Sequence, residues 1–93
     1  YPGGIEAFTE FLIRNLKYPE EARKKRIEGR VVVGFVVDKD GSIDNIKIVK
    51  AVHHALDQEA IRMILLAGKW IPGIQEGIPV RVSFAMPVRF KLQ

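Results

Sequence analysis

The sequence predicts an α+β fold: a three-stranded antiparallel sheet in the order second–first–third, with helices packed on one face and the chain order α-α-β-β-α-β. Three observations carry this. In "RVVVGFVV" (30–37) Val31, Val33, Phe35 and Val37 form one face while Val32 and Val36 keep the other apolar, as in a strand with neighbours on both sides. Asp40-Gly41 follows, a strong hairpin signal. Finally "VRVSFAMPVRF" (80–90) alternates apolar and polar with strand periodicity. Neighbouring segments tend to pair, which makes the first strand central.

The 93 residues suit one small domain, with roughly 60–65% of the unfolded surface hidden on folding. The absence of cysteine excludes disulfides, thiol nucleophiles and cysteine-based zinc sites without fixing a compartment. A net charge of +4, scattered along the chain, is too mild to argue for nucleic acid. The longest apolar run, "AIRMILLAG" (60–68), is interrupted by Arg62 and falls short of the ~20 residues a spanning helix needs. The chain starts at Tyr1 without methionine or signal peptide, so it reads as a fragment whose anchor and linker lie outside it.

Residues 3–17 read as a helix with Ile5, Phe8, Leu12 and Leu16 on one face. Residues 18–29 read as a second helix: Pro19 suits its first position, Glu20 and Glu21 its positive end, and Gly29 a left-handed exit. Glu20 with Lys24 and Glu21 with Lys25 are spaced for helical ion pairs. In the second strand, "SIDNIKIVKAV", Ile43 is out of phase with Ile46 and Ile48, which predicts a bulge near Asp44-Asn45. Lys47 and Lys50 mark it as an edge. Residues 56–68 predict a helix capped by Asp57, ended by Gly68 and buried through Leu56, Ala60, Ile61, Ile64 and Leu65. Residues 69–79 are turn-rich.

Pro87 sharpens the reading of the last strand. Val80, Val82, Phe84, Met86, Val88 and Phe90 point toward the helices, and Arg81, Ser83, Ala85, Pro87 and Arg89 toward solvent. Backbone groups of an antiparallel strand alternate too, one parity bonding the neighbour and the other facing away. Proline has no N–H for a ladder, so its parity belongs outside and the strand belongs at an edge. Pro87 thus protects the edge against stray pairing and, in the sharper reading, ends a docking edge for an extended peptide. Five or six added backbone bonds give roughly 3–8 kcal/mol, against an association cost of ~4–15 kcal/mol. Useful grip therefore needs side-chain anchors or a tether.

The chain resembles the TonB C-terminal domain family. The resemblance rests on "YP" (18–19), "RIEGRVVVGFVVDKDGSIDNIKIVKA" (26–51), "LDQEAIRMI" (56–64), "KWIPG" (69–73) and "GIPVRVSFAMPVRFKL" (77–92), in the family's order. It implies a single domain over 1–93, in which 18–93 form the family core and 1–17 an added helix like that of Bacteroides-like variants. It also implies a non-enzymatic periplasmic domain, tethered to the inner membrane and without cofactors. Such a domain couples a proton-driven inner-membrane motor complex to outer-membrane transporters of iron chelates or cobalamin by adding their TonB box to its last strand. The docking residues expected here are Val80, Arg81, Val82, Ser83, Phe84, Ala85, Met86, Val88 and Arg89, with Asn15, Lys17 and Tyr18 carried over from the family's box-touching segment. The alternative is an interaction module on a membrane-anchored signalling protein of the sensor-protease type. Family fragments also form strand-exchanged dimers, so a homodimer is a further possible partner.

Other constellations carry less. His53 and His54 are adjacent, point apart, and have only Asp57 and Glu59 nearby to complete a metal set. Ser83 has no base or oxyanion loop signalled around it. "RKKR" (23–26) reads as helix electrostatics before it reads as a phosphate or nucleic-acid site. Trp70 reads as a lid over the sheet.

Overall fold

Apolar residues on both faces do put β1 (Gly29–Val37) in the middle of the sheet. The computed structural model, which describes residues 4–68 and 70–92, orders the main sheet β2-β1-β5, with β2 Ile43–Lys50 and β5 Val82–Phe90 both antiparallel to β1. Helices α1 (Gly4–Asn15), α2 (Glu20–Lys24) and α3 (His54–Leu66) complete the expected order. Val31, Val33, Phe35 and Val37 are buried toward the helices with Leu56, Ala60 and Ile64 of α3. Val32 and Val36, on the far face, are half-buried.

The bulge in β2 is present. Between Gly34↔Lys47 and Val36↔Asp44, Asn45 and Ile46 lie opposite Phe35 alone, and Asn45 takes a left-handed φ of 49°. A second irregularity follows, where Val49 is the extra residue between Val33↔Ile48 and Val32↔Lys50. Gly34 accommodates it: a Cβ there would stand 2.8 Å from Cγ2 of Val49.

The helices differ from expectation in their ends. The expected start of α1 at Gly3 and the Ile5 side chain lie outside the described residues. Phe8 is buried, and Leu12 and Leu16 are half-buried. Helix α2 closes after five residues, not at Gly29, because Arg26 adopts φ 54°. There Ile27 N–H reaches the Ala22 carbonyl at 2.9 Å and Arg26 N–H that of Arg23 at 3.1 Å, the paired bonds of a left-handed helix end. Ala22 and Ile27 both join the core, which rewards the early turn. Of the two spaced ion pairs, Glu21–Lys25 forms at 3.8 Å in solvent.

Helix α3 starts two residues early. Its cap is His53, whose Nδ1 accepts the Ala55 N–H at 3.1 Å, while Asp57 takes the Val52 N–H instead. The buried stripe is Leu56, Glu59, Ala60, Met63 and Ile64; Leu65 is exposed. The helical period explains the correction, since position i+9 falls half a turn from Leu56 whereas i+7, Met63, returns to its face.

The final strand is not continuous from residue 80. Residues 73–80 form a separate hairpin of β3 (Gly73–Gln75) and β4 (Ile78–Val80) around Glu76-Gly77, both at positive φ. Its strands are too short to show a period, so they read only as turns. Trp70 is a buried lid: its ring lies 5.0 Å from Phe8 and from Phe35, and its backbone N–H donates to the Gly41 carbonyl at 2.8 Å.

Candidate functional site: the open edge of β5

Nine consecutive pairs, from Gly29↔Phe90 to Val37↔Val82, join β5 to β1 without a bulge. Pro87 stands opposite Val32 inside this ladder. Having no N–H, it occupies a pair of the non-hydrogen-bonded class, and an unbroken ladder gives Ser83, Ala85 and Arg89 the same parity. These residues turn N–H and C=O away from β1. β5 has no second neighbour in the sheet, and among the described residues no backbone group of another helix or loop bonds it between Val82 and Phe90. Ser83, Ala85, Pro87 and Arg89 are exposed.

The inward row is covered unevenly. Val88 and Phe90 are buried, Val82 and Met86 half-buried, and Phe84 remains 38% exposed although its ring stacks on Phe35 at 6.0 Å. The helix layer closes over the C-terminal end of β5 and leaves the stretch around Phe84 open.

The expected docking residues divide accordingly. Val82 to Met86 lie together on the open edge, and Arg89 lies further along it. Val80 pairs with Gly73 in the small hairpin, outside β5. Arg81 is engaged: its guanidinium donates to Asp38 at 2.8 Å and to Asp44 at 3.2 Å, bridging the two ends of the β1–β2 turn. The Asn45 N–H and the Arg81 hydrogen bond hold the Asp44 carboxyl below its ordinary range. Asn15, Lys17 and Tyr18 lie outside β5 and are held in structural ties. The Asn15 carbonyl accepts from Arg62 at 3.3 Å, and the Lys17 N–H donates to Glu59 at 2.7 Å. Tyr18 donates its hydroxyl to the Ile27 carbonyl, and its ring meets Phe90 edge-on at 5.7 Å. Burial, then the Glu28 carboxylate, raises the Tyr18 hydroxyl above its usual range.

Glu59 is the residue that sequence reasoning missed. It is a buried acid on α3, 8% exposed, and accepts from Arg62 Nε at 2.6 Å, from Arg62 Nη2 at 2.8 Å and from the Lys17 N–H. Burial alone would raise its carboxyl, but the Arg62 bonds and the Lys17 N–H outweigh it and hold the group below its ordinary value. This cluster fixes the end of α1 to α3. Its only signal was the i,i+3 spacing of Glu59 and Arg62. Among the described residues no three His, Cys, Asp or Glu come together, and no helix is long and apolar enough to cross a membrane.

Residues 14–92 match the family described as Gram-negative bacterial TonB protein C-terminal. The chain belongs to this family. It is 37% identical over 78 residues to protein TonB of Vibrio cholerae, covering 83% of this chain and 32% of that protein. With protein TonB of Escherichia coli it shares 33% over 69 residues, covering 73% and 29%. The chain thus spans about a third of the length of these curated relatives. A solution structure of the Helicobacter pylori TonB C-terminal domain superposes with a TM-score of 0.73 at 25% identity, covering all of this chain and 84% of that one. A second solution structure of that domain gives 0.70 at 28% identity, covering 94% and 90%. The α+β architecture and the strand order are those of the family.

Proposed function

We propose that this domain captures an extended peptide as a fourth strand on β5, and that the peptide is the TonB box of outer-membrane TonB-dependent transporters. In this reading the domain works in the periplasm. The rest of the parent protein supplies the inner-membrane anchor and the contact with a proton-driven motor complex. The observation that carries the reading is the regular outer edge of β5, with the N–H groups of Ser83 and Ala85 and the carbonyls of Ser83, Ala85 and Pro87 facing out ahead of and at the proline. Membership of the TonB C-terminal family supports the identity of the partner.

The energetics fit a grip that forms and releases. Five backbone bonds at ~0.5–1.5 kcal/mol each roughly offset the lower range of the association cost, so affinity depends on side chains and on the tether. Titrating the 15N-labelled domain with a synthetic TonB-box peptide tests the site. The expected result is shifts concentrated at Ser83, Ala85 and their β1 partners, with new exchange protection at the two outward amides. Shifts gathered on β2 or α3 would overturn it.

A further inference from the structure

Helix α1 lies beside the open edge with unfilled space between. A cavity of about 250 Å³ is lined by Gly4 and Phe8 of α1, by Trp70, and by Phe84, Ala85, Met86 and Pro87 of β5. Successive β5 residues point to opposite faces of the sheet, so a space touched by both parities lies off the edge and not beneath the sheet. A second cavity, about 430 Å³, continues along the same side between Thr9, Leu12 and Ile13 of α1 with the following Leu16, and Arg89 and Lys91. Ile13 is 78% exposed there. Neither Arg89 nor Lys91 has an ion-pair partner among the described residues.

We propose that α1 and Trp70 form a side-chain reader for the strand that β5 accepts: one bulky apolar residue fills the space between Phe8, Trp70, Phe84 and Met86, and a second apolar residue on the same face, roughly four positions along, covers Ile13. This rests on the strand-addition reading above. The inward side chains of an added strand would stand ~5 Å beyond the row Phe84, Met86, Val88, directly in this trough. A carboxylate at the far end complements Arg89 and Lys91. The occupant is therefore an extended segment with two apolar side chains on one face and an acidic group near the end that meets Lys91. α1 lies almost wholly ahead of the family match at residue 14, so its share of this selectivity comes from outside the matched segment, while Trp70, Phe84 and Met86 lie within it.

The test is selection of random decapeptides by display against the whole chain, followed by a cycle of paired substitutions. Selected peptides are expected to shift the Ser83 and Ala85 amides and to carry bulky apolar residues at two positions four apart. Ile13→Asp, at an exposed site, is expected to weaken them ~10-fold at unchanged thermal midpoint. That loss should vanish when the peptide residue facing Ile13 is alanine. Phe84→Ala is expected to behave likewise toward the other position. Peptides that shift Ser83 and Ala85 yet bind equally after both substitutions would remove the reader and leave strand addition standing. Peptides that bind without moving those amides, or a selection that returns no edge binder, would remove both.

Discussion

β2 and β5 flank the same central strand, and both leave one row of backbone groups without a partner strand. β2 breaks register twice, turns Asn45 left-handed, and carries Lys47 and Lys50. β5 keeps nine pairs in register and interrupts its outer row only at Pro87. Bulges and lysines are how sheets discourage further pairing, and a regular edge is what permits it. One side of the sheet is closed by irregularity, and the other is held ready and bounded by a proline. The tether at Glu59 belongs to this second side, since it sets where α1 runs beside β5.

The largest effect expected comes from moving the proline by one parity. Met86→Pro removes an N–H directed at β1 together with a half-buried side chain, and should cost at least about 3 kcal/mol, read as a collapse of the thermal midpoint. Ser83→Pro touches an outward N–H. Stability should stay within about 1 kcal/mol while peptide affinity falls roughly tenfold or more, by calorimetry on the same sample. Equal damage to folding from both would contradict the parity assigned to β5.

Next is the tie between α1 and α3. Glu59→Ala leaves the Lys17 N–H and the Arg62 guanidinium without their acceptor and should cost about 2 kcal/mol, with hydrogen exchange fastest at the end of α1. The pH dependence has a definite sign. A carboxyl held below its ordinary value in the folded state contributes stability that is present above the unfolded value, about 4.3, and lost as pH falls through the folded value. The wild type should lose part of its stability over that acid range and Glu59→Gln should lose less, by denaturant midpoints at stepped pH.

A milder change sharpens the contrast from the β2 side. Asn45→Val places a β-branched residue at φ 49° and should cost ~1–2 kcal/mol, with no change in peptide affinity. If peptide binding falls with it, the two edges are not independent.

The parts of the molecule that were legible in the sequence are those where a residue type has one strong backbone meaning. Pro87 named the edge strand and its parity, Asp40-Gly41 the hairpin, and the phase slip at Ile43 the bulge. The parts that were not legible depend on who meets whom in space. The alternation of residues 80–90 runs straight through Arg81, so the break there is invisible until Asp38 and Asp44 claim its guanidinium. His53 and Asp57 are both competent caps, and the choice between them is set by where Val52 places its N–H. Glu59 looks like a surface acid until α1 folds over it. The trough beside β5 is built from α1, Trp70 and the consecutive β5 residues Phe84 to Pro87, a combination that no single window of sequence contains.

The smallest effect expected is at Arg81, where the hairpin meets the start of β5. Its pairs with Asp38 and Asp44 are both well exposed, with side chains 42%, 39% and 55% accessible. Ion pairs in that setting contribute at most ~1 kcal/mol and are screened by salt. Arg81→Ala should therefore lower stability by less than about 1 kcal/mol at low ionic strength, and the difference should shrink toward zero near 1 M salt. The guanidinium holds the turn between β1 and β2 against the first residue of β5, so its loss should free the inward amide of Val82 while those of Phe84, Met86, Val88 and Phe90 keep their exchange rates. A loss of protection spreading along all of β5 would mean that the nine-pair ladder depends on this clasp, and that the open edge is less rigid than its register implies.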